Sequence, residues 1–133
     1  MKTTLIAIAL VVCTVSCFGQ TLLHSALAKI DRKDFRGAIA DCDKAIKASP
    51  YLGESYQIRG TAKVAIGDYM GAIKDCNKAI EYKAGPEFLA AAYTWRGTAK
   101  YQLGDRKSAC DDWRRGGEMG NSTAYTFISN YCN

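Results

Sequence analysis

Arg59-Gly60-Thr61-Ala62-Lys63 returns unchanged as Arg96-Gly97-Thr98-Ala99-Lys100, and this repetition decides the fold. A longer phrase recurs beside it, with DFRGAIADCDKAI at residues 34–46 and DYMGAIKDCNKAI at residues 68–80. These two copies stand 34 residues apart, and a third, more divergent copy begins 37 residues later. A period of this size is typical of an array of small units that stack on one another and bury a continuous core.

Each copy predicts two helices joined by a tight turn. In the second copy we expect helices at residues 51–66 and 69–82, the latter with apolar residues at three- and four-residue spacing. Gly67 is suited to the left-handed conformation that ends a helix, and Asp68 can cap the next one. The first copy has Lys33 where a glycine would stand, so its turn is expected to be weaker or longer.

The chain divides into domains at the same points. We expect an N-terminal targeting segment at residues 1–19, a repeat domain at 20–133 with units at about 20–50, 51–84 and 86–120, and a capping helix at 122–132. Pro50 and Pro86 mark unit boundaries, each where a helix can start. The last segment has no partner helix, and an array needs such an end piece to cover its last apolar face.

Together these features resemble the tetratricopeptide repeat family over residues 20–132. The family's motif positions are held by Tyr56 and Tyr93, Gly60 and Gly97, Ala38, Ala72 and Ala109, and Pro50. The resemblance implies an all-α fold, an α-solenoid of three helix-turn-helix units plus a C-terminal capping helix. It also implies that the first helices of the units line a concave groove that binds peptides or protein segments.

Two arginines depart from the family pattern, which commonly has leucine where this chain has Arg59 and Arg96. Each is followed four residues later by a lysine on the same helix face. Aspartates stand in register on the second helices, at Asp41, Asp75 and Asp112. We therefore predict structural ion pairs in which the arginines reach these aspartates across helices. The alternative is that the arginines reach solvent and the lysines lay their apolar stems along the surface.

The N-terminus has the layout of a secretory signal, with Lys2 before a largely apolar run at residues 5–15. The run is about half as long as the roughly 20 residues that a membrane span needs. Two forms of processing stay open: removal of residues 1–19, or a lipoprotein signal that leaves Cys17 lipidated. The first predicts an exported periplasmic or extracellular protein, and the second predicts a membrane-anchored lipoprotein.

Export would allow disulfides to form. Cys42 and Cys76 hold the same place in successive units, which are expected to lie too far apart for a disulfide, so we expect two reduced core residues. Cys110 and Cys132 have no counterparts in the other units. We predict a disulfide between them that fastens the capping helix to the last full unit.

The sequence carries no signal for catalysis or for a cofactor. His24 is the single histidine and stands among leucines, and no Cys-x-x-Cys pair, zinc-like spacing or phosphate-binding glycine loop occurs. Eighteen basic residues against 13 acidic ones form no dense stripe, which argues against nucleic acid as a partner. We therefore predict no catalytic residue, no metal and no cofactor.

The family's concave face, placed on this chain, gives a nearly uncharged lining: Leu23, Leu27, Gln57, Thr61, Thr94, Thr98, Tyr101, Thr126 and Asn130. It lacks the lysine–asparagine–arginine clamp by which chaperone-binding members hold a terminal carboxylate. We expect a non-catalytic protein-interaction module of a bacterial cell envelope or the secreted space, with a protein or peptide partner. The alternatives are a lipid-anchored accessory subunit of an envelope assembly, an enzyme or small-ligand-binding protein, or a groove that is ordinary solvated surface. Partner identity and oligomeric state stay open.

Overall fold

The computed structural model describes the backbone of residues 2–133 and the side chains of residues 17–133. Its helices are α1 (Lys2–Asp31), α2 (Phe35–Ala48), α3 (Gly53–Ala65), α4 (Tyr69–Glu81), α5 (Pro86–Gln102), α6 (Arg106–Glu118) and α7 (Ser122–Tyr131). No strand occurs in this part of the chain. Each helix packs on the next, and the first helices of neighbouring units also touch, α1 with α3 and α3 with α5. The predicted all-α solenoid of helix-turn-helix units is confirmed.

The same turn joins the two helices of every unit. It contains one residue with positive φ, which is Lys33 (63°), Gly67 (83°) or Gly104 (92°). The N–H of the following aspartate donates to the carbonyl five residues earlier, over 2.8, 2.9 and 3.0 Å in the three units. The carboxylate of that aspartate caps the second helix by accepting an N–H three residues ahead. The first turn is therefore not longer than the others, although Lys33 takes a conformation that costs a side chain roughly 1–2 kcal/mol.

The unit boundaries differ in one respect from the sequence prediction. Pro50 lies in a turn, and α3 begins only at Gly53, whereas α5 does begin at Pro86. Gly53 is buried where α3 passes the end of α4, and a Cβ there would lie 2.9 Å from the backbone nitrogen of Ala84. This close approach requires a glycine at the first position of α3. Proline suits the first turn of α5 because the N–H it lacks would have no helical partner.

Small side chains let the two helices of a unit approach closely. Fully buried alanines hold the same place in each second helix: Ala38, Ala72 and Ala109. Opposite them, a Cβ on Gly60 would lie 3.0 Å from Cys76 Sγ, and a Cβ on Gly97 would lie 2.8 Å from the Trp113 ring. The glycine of the repeated pentapeptide therefore serves helix packing.

α1 is the longest helix, because the predicted targeting segment and the first helix of the first unit form one continuous helix of 30 residues. Among the described residues, no helix combines the length and the apolar character that crossing a bilayer requires. Cys17 lies on this helix and is exposed.

Candidate functional site

One side of the first helices forms a network of ion pairs with the second helices. Asp75 is almost completely buried, and it accepts from Arg59 Nε at 2.9 Å, from Arg59 Nη2 at 2.7 Å and from Lys63 Nζ at 2.9 Å. The third unit repeats this arrangement with Asp112, Arg96 and Lys100, over distances of 2.6 to 2.8 Å. We call these contacts the ion-pair ladder. Both predicted arginines thus contact an aspartate on the second helix, and so do the lysines.

The arginines also link one unit to the unit before it. Arg59 Nη1 donates to Asp43 on α2 at 2.8 Å, and Arg96 Nη1 donates to Asn77 on α4 at 2.9 Å. Asp43 and Asn77 hold equivalent places in consecutive units. Hydrogen bonds to Asp75, and next to Asp43, raise the pKa of Arg59. Each arginine therefore stays charged and forms hydrogen bonds with two consecutive units.

The first unit departs from this pattern. Asp41 accepts from Ser25 Oγ at 2.6 Å and from Lys29 Nζ at 2.7 Å, so the prediction that an arginine pairs with Asp41 is wrong. Ser25 stands where the later units have their arginine. Burial alone would raise the pKa of Asp41, but the hydrogen bonds from Lys29 and Ser25 outweigh it and lower that pKa.

The other side of the first helices forms an open cleft of about 310 Å³. Its lining comes from α1, α3 and α5 and is mostly apolar: Leu27, Ile30, Gln57, Ile58, Thr61, Glu87, Phe88, Ala91 and Trp95. Gln57 Nε2 donates to Thr61 Oγ1 at 2.8 Å, which leaves the methyl group of the threonine and the neighbouring apolar side chains to meet an occupant. We refer to this set of residues as the cleft.

Only three of the predicted groove residues line the cleft, namely Leu27, Gln57 and Thr61. Leu23 instead packs against the core between α1, α2 and α3. Thr126 and Asn130 are exposed on α7, outside the cleft.

The predicted groove residues in the third unit lie against the second helix and the cap. Thr94 is fully buried, and its carbonyl accepts from Trp113 Nε1 at 3.1 Å, so its assignment to the groove surface is wrong. Thr98 Oγ1 accepts from the same nitrogen at 3.3 Å. Tyr101 stacks on Trp113 and Tyr131, with ring centroids 5.5 and 4.9 Å apart. These three residues support the end of the array.

The sequence reasoning missed several lining residues, chiefly Ile30, Phe88 and Trp95. α5 has 17 residues where α3 has 13, and its extra length lies on the N-terminal side of the repeated pentapeptide. Phe88 lies in that extra turn, and Tyr51, the residue at the same register in the second unit, precedes the start of α3. A signal was present in Trp95, a large apolar residue with no aromatic counterpart in the second unit, where Ile58 stands.

A larger hollow, of about 560 Å³, lies on the ladder side of α3 and α4. It contains Asp75, which pairs with both Arg59 and Lys63, and Arg59 also pairs with Asp43, so these charged groups already have partners within the protein. We therefore assign this hollow to the scaffold despite its greater volume. Within the part of the chain whose side chains are described, no group of His, Cys, Asp and Glu residues could hold a metal ion.

The cysteines fall into two classes. Cys42 and Cys76 are fully buried, and burial raises the pKa of each thiol to about 12, which makes them unreactive core residues. Cys110 and Cys132 lie at disulfide distance, with their Cα atoms 5.8 Å apart. Arg106 Nε donates to the carbonyl of Tyr131 at 2.8 Å and holds the same end of the cap.

Comparison with solved structures places this architecture among tetratricopeptide repeat domains. The domain of Arabidopsis OM64 matches with a TM-score of 0.77 and 24% identity, over 86% of this chain and 94% of that one. The second such domain of human RPAP3, solved with the HSP70 peptide SGPTIEEVD, gives 0.75 and 23% over 90% and 98%. The TPR2B domain of yeast Sti1, in a pHsp70 complex, gives 0.74 and 23% over 87% and 94%. No family model and no curated protein matches the sequence. The chain thus has the tetratricopeptide fold that its repeats predict.

Proposed function

We propose that this chain is a non-catalytic protein-interaction module that holds a protein or peptide segment in the cleft. The observation that carries the proposal is the lining itself, since side chains from three consecutive first helices converge on one open cavity whose apolar residues come mainly from α1 and α5. Leu27 at its edge is 40% exposed. A partner that covers this surface gains about 25 cal/mol for each Å² of apolar area removed from water.

The solved neighbours, more than the size of the cleft, favour a segment of a protein over a small molecule as the occupant. Its volume of about 310 Å³ lies at the low end of the roughly 300–1,000 Å³ found for small-ligand pockets. The human and yeast neighbours were solved with peptides, which supports a segment as the occupant. Since the described residues bring no nucleophile and base together here, an enzyme is the less supported alternative.

A peptide-display selection tests the proposal with a matched pair of variants. Ala91→Arg fills the cleft, whereas Ala40→Arg makes the same change on α2, away from the cleft. We expect wild type and Ala40→Arg to enrich and bind the same peptides, and Ala91→Arg to lose them. If every enriched peptide binds Ala91→Arg as well as wild type in calorimetry, the cleft is not the binding site.

We further propose that the module is exported, as a soluble periplasmic or extracellular protein of a bacterial envelope. The signal-like N-terminus and the disulfide-distance pair Cys110 and Cys132 support this location, because disulfides persist outside the cytosol. The lipid-anchored accessory subunit is the alternative that the exposed Cys17 favours. Mass spectrometry of the purified protein decides: a chain that begins at Gln20 supports the soluble form, and a lipidated Cys17 replaces it with the anchored form. Free thiols at 110 and 132 in non-reduced peptide maps would contradict the disulfide.

A further inference from the structure

We infer that the cleft takes a segment that is both apolar and positively charged, in which leucine- or isoleucine-like side chains alternate with lysine or arginine. The inference rests on the proposed function, because it names the chemistry of the partner for the same cleft. It comes from the distribution of charge between the two sides of the first helices.

Every lysine and arginine in the described part of the first helices already forms an ion pair, either in the ion-pair ladder or in the equivalent contact with Asp41 in the first unit. These residues are Lys29, Arg59, Lys63, Arg96 and Lys100. Their partners are aspartates on the second helices, and none of the five lines the cleft. No lysine or arginine among the described side chains of these helices is therefore left to receive a carboxylate from a partner.

The acidic residues of the same helices are distributed differently. They are Asp31, Glu54 and Glu87, and none of them joins the ladder. Glu87 is exposed and is the single charged group among the described residues that line the cleft. Glu54 accepts from the N–H of Gly85 at 2.8 Å and so lies beside the start of α5. The cleft thus offers a negative charge at its edge beside an apolar floor.

Trp95 adds a second feature that suits a cation. It lines the cleft and is only partly buried, with its ring centroid 6.4 Å from that of Phe127. Tryptophan is the strongest aromatic partner for an ammonium or guanidinium group. Glu87 and Trp95 lie eight residues apart on α5, about 12 Å along the helix, so two successive lysines or arginines of the partner can meet one each. The apolar neighbours of these cations can then cover Leu27 and Ile30.

The net charge of the whole chain lets the experiment distinguish long-range attraction from recognition in the cleft. The formal net charge is +5, so long-range attraction would favour an acidic peptide over a basic one. A preference for the basic peptide must then come from the cleft. The preference should rise with ionic strength as the long-range repulsion is screened, until the local contact with Glu87 is screened as well.

The experiment uses two synthetic peptides with leucine at the same positions, one with lysine and the other with glutamate at the positions between. Both are titrated into the full chain and followed by calorimetry. We expect the lysine peptide to bind several-fold more tightly than the glutamate peptide. Glu87→Gln should weaken the lysine peptide by about threefold, Glu87→Lys should reverse the order, and the control Glu118→Gln on α6 should change neither affinity.

The outcomes separate this inference from the proposed function. Equal binding of both peptides, with loss of both in Ala91→Arg, overturns the preference for positive charge and leaves the cleft as the binding site. The same holds if neither designed peptide binds but display selection yields cleft-dependent peptides without a basic excess. An acidic peptide that binds more tightly, and keeps its affinity in Glu87→Gln, also overturns the inference. Loss of all cleft-dependent binding refutes both.

Discussion

In the first unit Asp41 is held by Ser25 and Lys29, whereas in the second unit the equivalent Asp75 is held by Arg59 and Lys63. The two units are otherwise alike in the order of their helices, in the turn between them and in the aspartate that caps the second helix. The difference follows from position in the array. Arg59 in the second unit reaches Asp43 of the unit before it, whereas no earlier second helix stands among the described residues for the first unit. There the short hydroxyl of Ser25 donates to Asp41 instead. The arginine therefore belongs to the stacking of units, and the aspartate belongs to the unit itself.

The far end of the array supports the same interpretation. Asp43 and Asn77 hold equivalent places and accept hydrogen bonds from the arginine of the following unit. In the third unit Arg114 holds this place. Arg114 pairs instead with Asp111 within α6. A further arginine would meet a positive charge there, and α7 has no basic residue. Among the described residues, the arginine contact between units therefore has no counterpart after the third unit.

The largest expected effect comes from removing the ladder aspartate. Asp75→Ala leaves Arg59 and Lys63 without their shared partner, although both keep about a fifth of their side-chain surface exposed. We expect a loss of about 3 kcal/mol in the free energy of unfolding, at the low end for a broken buried pair. Asp41→Ala should cost about half as much, because Lys29 is 32% exposed and can turn to water.

Urea denaturation of the two variants measures this difference. Asp111→Ala serves as the control, because its partner Arg114 is more than half exposed and such pairs contribute about 0–1 kcal/mol. Equal losses for Asp75→Ala and Asp111→Ala would mean that the ladder does not stabilise the fold.

The glycine of the repeated pentapeptide gives a second comparison, since the first unit has the fully buried Ala26 at that place. A Cβ on Gly97 would meet the Trp113 ring at 2.8 Å, and we expect Gly97→Ala to lower the stability by about 2 kcal/mol. In the second unit the neighbour is the smaller Cys76 at 3.0 Å, and the gain in helix propensity, about 0.5–1 kcal/mol, largely offsets the contact. Thermal unfolding should therefore separate Gly97→Ala from Gly60→Ala, and equal melting temperatures would contradict this explanation.

The sequence predicts the fold well because repetition multiplies each local signal. The same signals occur in register in successive copies: the turn residues Gly67 and Gly104, the capping aspartates and the small residues on facing helices. Each copy therefore supports the structure predicted for the others. Where a copy deviates, its neighbours still fix the result, as Lys33 shows by taking the glycine conformation. Consistency between local and global preferences is what makes such a chain specify one fold.

The cleft was harder to predict because it lies where the units differ. Gln57 and Thr61 follow from the repeat register, but Thr94 at the same register is fully buried under Trp113. Relative to the pentapeptide, α5 begins about one turn earlier than α3, and this turn carries Phe88 into the cleft. Which surface of a helix stays open depends on what packs across it. The repeat pattern predicts the capping helix but not which residues of the third unit Trp113 and that helix cover.

Substitutions in the turn between paired helices should change the stability less, and with opposite sign in the first and second units. Lys33 has φ of 63°, so Lys33→Gly relieves the left-handed conformation and should stabilise the chain by about 1 kcal/mol. Gly67→Ala imposes the same conformation on a side chain and should destabilise by about the same amount, since no atom lies within 4 Å of the added Cβ to offset it. Chemical denaturation measures both, and a loss of stability in Lys33→Gly would show that its side chain has a role in the turn.

The smallest effect concerns pH and tests the first unit alone. Hydrogen bonds from Lys29 and Ser25 hold the pKa of Asp41 below its ordinary value of 3.8, against the opposing effect of burial. In acid the unfolded chain therefore binds a proton at this residue before the folded chain does, so the stability that Asp41 contributes is complete above about pH 4 and is lost as the pH falls through the folded pKa. Ser25→Ala removes one of the two hydrogen bonds that lower this pKa, so the stability difference between wild type and Ser25→Ala should shrink on acidification. Urea denaturation across the acid range checks this, and a difference that stays constant with pH would mean that the serine does not bind the ionised carboxylate preferentially.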